Sequence, residues 1–112
     1  MYEQPPLLTA LLKSLDDMQA IDITVIDVRN QTTITDYMVV CCGRSSRHVK
    51  AVATEVMEKM KHSEMPALNH SGLEGGDWAL VDFGDYILHV MQREIRDFYN
   101  LEGLWQQPES LK

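Results

Sequence analysis

The sequence predicts one α/β (α+β) domain, a mixed sheet of about five strands flanked by helices. Three observations predict it. The runs IDITVIDV (21–28) and DYMVVCC (36–42) are β-branched or continuously apolar and read as strands. Segments 6–19 and 46–62 repeat apolar residues at three- and four-residue steps and read as helices. The stretch DWALVDFGDYILHVM (77–91) reads as a β-hairpin. A chain of 112 residues with 45% apolar content suits one two-layer core and not two. The domain is therefore taken as 1–112, with an ordered core at about 6–105.

In the first helix, Leu8, Leu11, Leu12, Leu15 and Met18 form one apolar stripe, and Pro5 and Pro6 suit its start. Residues 30–35 are polar and make a turn. The unbroken run 36–42 fits a strand covered on both faces. Gly43 ends it, and Ser45 or Ser46 caps the second helix. Val49, Val52, Ala53, Val56, Met57 and Met60 form that helix's buried stripe, and its charges lie mainly on the other side. Met65-Pro66 ends this element. Residues 67–69 are read as a short third strand, and HSGLEGG (70–76) as a loop.

The hairpin turns on Gly84-Asp85, a pair that fits a type II′ turn because Gly comes first. That register pairs Phe83 with Tyr86, Val81 with Leu88 and Ala79 with Val90 on one apolar face. The other face carries Trp78, Leu80 and Asp82 against Met91, His89 and Ile87. REIRDFYNLEGLW (93–105) reads as a closing helix with Ile95, Phe98, Tyr99 and Glu102 on one side, ended or bent at Gly103. The tail QQPESLK is polar and reads as loose. Strand order stays open.

Charge narrows the function classes. Seventeen acids against ten Lys and Arg give a net charge of −7, which argues against broad nucleic-acid contact. The same balance suits a basic protein partner, and it also serves solubility. No apolar run approaches the roughly 20 residues of a membrane span. MYEQPPLL lacks the pattern of a signal peptide, so a cytoplasmic location is expected. Cys41 and Cys42 are adjacent and point to opposite strand faces, which suits buried reduced thiols. The four His show no chelating spacing, so no metal or cofactor is expected.

Several motifs invite a catalytic reading. DFG at 82–84 matches the kinase magnesium triplet, but no glycine-rich phosphate loop or HRD element accompanies it. GRSS at 43–46 leads from strand to helix and could cradle a phosphate, though helix capping explains it. Asp22 and Asp27 lie on opposite faces of one strand, so no two-metal carboxylate pair is visible. Asp82 and His89 are diagonal neighbours within hydrogen-bonding reach. They support two readings, a general-base pair or a structural pair on a partly exposed face. Trp78 on that same face is either core or an interface anchor.

Three blocks resemble the Iojap-like ribosomal silencing factors (RsfS). TDYMVVCCGRSSRHVKAVATEV (35–56) is similar to that family's strand–Gly–Ser–Arg-His-Val–helix block. LEGGDWALVDFGDYILHVM (73–91) is similar to its Glu-Gly, Trp and Asp-aromatic-Gly-Asp block. Arg96, Tyr99, Leu101, Glu102, Leu104 and Trp105 match its closing signature. The likeness runs from about residue 7 to 105. Departures are few: Phe83 stands where Tyr is usual, Cys41-Cys42 where small residues are, and Leu88 and Met91 where Val and Phe are.

The resemblance implies a nucleotidyltransferase-like core without catalytic residues, and a protein that is not an enzyme. It implies binding to the large ribosomal subunit through its protein uL-fourteen, on the face that joins the small subunit. Subunit joining would be blocked sterically and translation repressed in stationary phase or under nutrient limitation. A homodimer is also implied. The expected docking residues are Glu74, Trp78, Asp82, His89, Arg96 and Tyr99. Trp78 would be the anchor, Glu74 and Asp82 would meet basic groups, and the other three would orient or extend the patch. Two alternatives stay open: Arg96 tied to Asp82 or Asp85, and Tyr99 in the core. The rival class is a small nucleotidyltransferase-like or hydrolytic enzyme using Asp82, His89 and the Ser45–Ser46 loop.

Overall fold

The structure is a computed structural model that describes residues 6–105, with the side chains of residues 104 and 105 left out. The readings made on Pro5, the tail 106–112 and the Leu104 and Trp105 side chains lie outside that description. The order is α1 (Pro6–Asp17), β1 (Ile21–Asp27), β2 (Tyr37–Gly43), α2 (Ser46–Met60), β3 (Asn69–Ser71), β4 (Trp78–Asp82), β5 (Tyr86–Gln92), α3 (Arg93–Tyr99) and α4 (Leu101–Trp105). The five strands form one mixed sheet in the order β1-β2-β5-β4-β3. Only β2 and β5 run parallel, and the other neighbours are antiparallel.

The first face of the sheet carries the main core. Leu8, Leu11 and Leu15 of α1 and Val49, Val52, Ala53 and Val56 of α2 are buried against it. They meet Val39, Cys41, Ala79, Val81, Leu88 and Val90 from three strands. Met57, read as part of the α2 stripe, is only partly buried at its margin. Ser45 caps α2, its Oγ accepting from the His48 N–H at 3.2 Å. His48 in turn joins two elements. Its Nδ1 accepts from the Arg44 N–H at 2.9 Å, and its Nε2 lies 2.9 Å from the Met18 carbonyl. Because Nδ1 is an acceptor, the ring carries its proton on Nε2 and donates to Met18. The end of α1 is thus fastened to the entry of α2.

The hairpin follows the expected register, Trp78↔Met91, Ala79↔Val90, Leu80↔His89, Val81↔Leu88 and Asp82↔Ile87. Phe83 donates its N–H to the Tyr86 carbonyl at 2.8 Å, and Gly84 takes φ +93°, the backbone sign that favours glycine there. Two other readings are corrected. The third strand is Asn69–Ser71, not 67–69, because Asn69, His70 and Ser71 pair with Asp82, Val81 and Leu80. The closing segment is two helices, and the break falls at Asn100 rather than Gly103. Asn100 adopts the left-handed conformation (φ 50°, ψ 54°), and its Oδ1 accepts from the Gly103 N–H at 3.2 Å. It thereby stops α3 and starts α4, since Asn tolerates that conformation and caps helix starts well.

Among the described residues no helix is long and apolar enough to cross a membrane. The fully buried Leu15 predicts a measurable cost. Leu15→Ala should lower stability by about 2–5 kcal/mol in urea unfolding. The partly exposed Leu12→Ala should cost clearly less.

Candidate functional site

The second face of the sheet is covered unevenly. Ile26, Val28, Val40 and Met91 form a small buried cluster there, packed against Met38, Trp78, Ile95 and Leu101. The short helices α3 and α4 cover the end near Met91. Leu80, Asp82 and Ile87 remain half-buried towards the hairpin turn. This face is therefore partly core and partly surface.

Trp78 sits at the boundary and is half-buried. Its indole N–H donates to His89 Nδ1 at 3.0 Å. The two ring centroids are 5.9 Å apart. On its other side the Tyr99 ring lies 4.9 Å away, tilted by 52°. Trp78 is thus held in one orientation from two directions.

His89 is buried, 4% exposed, and serves that orientation from beneath. Accepting at Nδ1 leaves its proton on Nε2, which is buried without a partner among the described residues. Burial pushes its pKa down to about 4, so the ring is neutral at pH 7. The Asp82–His89 pair does not form. Asp82 Oδ1 accepts from the Gly84 N–H at 2.8 Å and is used by the turn. Of the two diagonals open to His89, the long indole closes one, and the short carboxylate does not span the other.

Arg96 is also 4% exposed and is not offered to a partner at the surface. Its Nε and Nη2 donate to the Glu102 carboxylate at 3.0 and 2.6 Å. Nη1 donates to the Asp22 carbonyl at 2.7 Å and reaches Cys42 Sγ at 3.2 Å. Nη2 also meets Thr24 Oγ1 at 3.1 Å. The alternative of a tie to Asp82 or Asp85 is therefore replaced by ties to Glu102 and strand β1. The hydrogen bond from Arg96 holds the Glu102 carboxyl below the usual range. Asp22 is in the left-handed region (φ 52°), at a register shift of β1. Its carboxylate pairs with Arg93. This rivet left no periodic signal in the sequence, since its members belong to four separate elements. The Asn100-Leu101-Glu102-Gly103 run was the one available hint, as a capping residue ahead of a new helix.

Glu74 is exposed on the loop before β4. That loop is tightly fitted. Gly76 has φ +73°, and a Cβ there would lie 2.6 Å from Ser46 Cβ. Gln92 closes it from β5, donating to the Gly76 carbonyl at 3.0 Å. Trp78, Asp82 and Tyr99 therefore reach the surface on or beside the second face, with His89 and Arg96 buried beneath them, whereas the Glu74 loop packs its Leu73 against the first-face core.

The catalytic constellation is not assembled. The β2–β5 register ends at Gly43↔Gln92, which puts Ser45 and Ser46 at the Trp78 end of the sheet. Asp82 lies four residues along β4, roughly 13 Å away. Ser45 is occupied as a helix cap. Cys41 is buried, which pushes its thiol up to about 12. Among the described residues no group of His, Cys, Asp or Glu could hold a metal ion.

A mixed five-stranded α+β sheet, helices closing one face and only part of the other, with a fixed Trp at the margin, defines the class: a small domain with a half-open, polar–apolar sheet face. A family model described as "Ribosomal silencing factor during starvation" matches residues 2–112. The chain belongs to this ribosomal silencing factor (RsfS) family. It is 40% identical to ribosomal silencing factor RsfS of Zymomonas mobilis over 93% of this chain and 78% of that one. It is 37% identical to the Mus musculus protein named mitochondrial assembly of ribosomal large subunit protein 1, over 85% of this chain and 43% of that one. A crystal structure of a Chromobacterium violaceum protein superposes with a TM-score of 0.89 at 34% identity, covering 96% of this chain and 90% of that one.

Two outcomes are expected. Between about pH 4 and 6.5 the unfolded chain binds a proton at residue 89 that folded His89 refuses, so stability rises with pH across that window. The full effect is about 3 kcal/mol, measured by urea unfolding at successive pH values, and His89→Gln should flatten the slope. Arg96→Ala should cost about 2–3 kcal/mol in the same assay, because it removes hydrogen bonds to the half-buried Glu102 carboxylate and to β1.

Proposed function

We propose that this chain represses translation by docking on the large ribosomal subunit through the open part of the second face. One observation carries the reading: Trp78 is fixed between His89 and Tyr99 at the margin of that face, with its ring half-exposed. A rigid aromatic beside acidic groups is the usual make-up of an interface anchor. Membership of the silencing-factor family supports the ribosome as target. The name of the mouse relative, mitochondrial assembly of ribosomal large subunit protein 1, supports the large subunit in particular.

The partner protein on that subunit is uL-fourteen, as the resemblance of the three sequence blocks implies. Bound there, the chain would sterically keep the small subunit from joining under nutrient limitation or in stationary phase. Trp78 is the anchor and Tyr99 its outer wall. Glu74 and Asp82 meet basic side chains, and the net charge of −7 steers encounter with a basic protein. His89 and Arg96 act from beneath by holding Trp78 and α3 in place. A cytoplasmic location and a homodimeric free state belong to the same proposal, the latter measured by light scattering. The enzyme alternative gains no support from the separation of Asp82 from the Ser45–Ser46 loop.

Co-sedimentation with purified large subunits at low salt tests the docking, and binding to isolated uL-fourteen tests the partner. The chain should pellet with large subunits, and Trp78→Ala should weaken binding by about 2 kcal/mol or more without unfolding the domain. A chain that stays in the supernatant at low salt overturns the proposal.

A further inference from the structure

Helix α3 carries an aromatic side chain that the core does not use. Phe98 is 79% exposed, the most exposed large apolar residue among those described. Its ring is nevertheless ordered by neighbours. It packs on Tyr99 at 5.0 Å with an interplanar angle of 84°, and Tyr99 packs on Trp78 at 4.9 Å. The three rings form a continuous rail running from the half-buried Trp78 out to solvent.

Such a rail could stack on a nucleic-acid base or on a guanidinium. The charges beside it decide between them. Glu94 stands one helical turn before Phe98 and shares its ridge, and Asp97, its neighbour in sequence, lies towards the side of the helix that holds Arg93 and Arg96. Both carboxylates are exposed, and neither makes an ion pair among the described residues. Arg93, the surface cation of the same helix, is engaged by Asp22. Two exposed carboxylates outside any ion pair among the described residues repel a phosphate backbone and attract a cation.

We propose that Phe98, with Glu94 and Asp97, extends the docking surface as a cation-accepting site that stacks on an arginine of a basic protein partner. Arginine fits better than lysine because its planar group covers a ring face while its fork of N–H donors reaches the carboxylates. This inference rests on the docking reading given above.

Co-sedimentation with large subunits tests it on five proteins: the unmodified chain, Trp78→Ala, Phe98→Ala, Phe98→Leu and Asp97→Lys. Both Phe98 variants should bind about fivefold or more weakly. Asp97→Lys should also weaken binding. Thermal unfolding of the Phe98 variants should match the unmodified chain, because the ring is exposed. Full affinity in Phe98→Leu would reduce the contact to apolar packing and overturn the stacking. Tighter binding by Asp97→Lys would make RNA phosphate the neighbour and overturn the protein partner. A lowered melting temperature for Phe98→Leu would make the residue structural and overturn the assignment. Normal binding by Phe98→Ala alongside weak binding by Trp78→Ala overturns this inference alone. Failure of the unmodified chain to pellet overturns the docking reading with it.

Discussion

The parallel pairing of β2 with β5 is the constraint on which the rest of the structure depends. It runs without interruption from Tyr37↔Tyr86 to Gly43↔Gln92. Parallel neighbours cannot be joined by a tight turn, so the chain between them must cross a face of the sheet, and α2 makes that crossing. A central parallel pair also needs cover on both faces. Helices α1 and α2 supply it on the first. On the second, the described residues after β5 supply α3 and α4, of seven and five residues. Two helices that short cannot span five strands. The cover stops near Trp78, and Leu80, Asp82 and Ile87 stay half-exposed. The candidate docking face is thus a consequence of the topology.

Helices of five to seven residues are not stable alone and need tertiary ties. Arg96 provides them. Its guanidinium joins α3, α4, β1 and β2 through Glu102, the Asp22 carbonyl, Thr24 and Cys42. With α3 held, Tyr99 is held, and Tyr99 walls in the Trp78 ring. His89 completes the arrangement by accepting the indole N–H. A contact residue fixed this way loses little freedom on binding, which is how preorganisation raises affinity. The cost is a buried imidazole with one nitrogen unpartnered among the described residues.

Much of this was legible in advance, for reasons specific to particular residues. The α1 and α2 stripes are long enough for a helical period to stand out. Gly84-Asp85 set the hairpin register, and with it the two faces of β4 and β5. Other features lacked a local cue. β3 is three residues long and fully exposed, so no apolar alternation marks it. The break at Asn100 was hidden by Gly103, a stronger helix breaker by composition. Arg96 was read as extending the docking patch or as tied to Asp82 or Asp85, because its true partners lie far away in the chain. Within the candidate site, Trp78 and Asp82 lie half-buried on the second face, and Glu74 is exposed on the loop before β4. His89 and Arg96 were expected among the contacts, and both are buried.

The sequence by itself determined the element types, the two-faced hairpin and the family, because each rests on periodicity or on residues close together in the chain. Alternation says which face a side chain is on, but not what lies above it. Tertiary structure alone decided the strand order, the diagonal that His89 closes, the burial of Arg96 and the exposure of Phe98. The partners of Arg96 on β1 lie 72 and 74 residues away, and local pattern carries no information over that distance. Only the folded sheet brings those groups within hydrogen-bonding reach. The same folding leaves the Phe98 ring of α3 uncovered by the described residues.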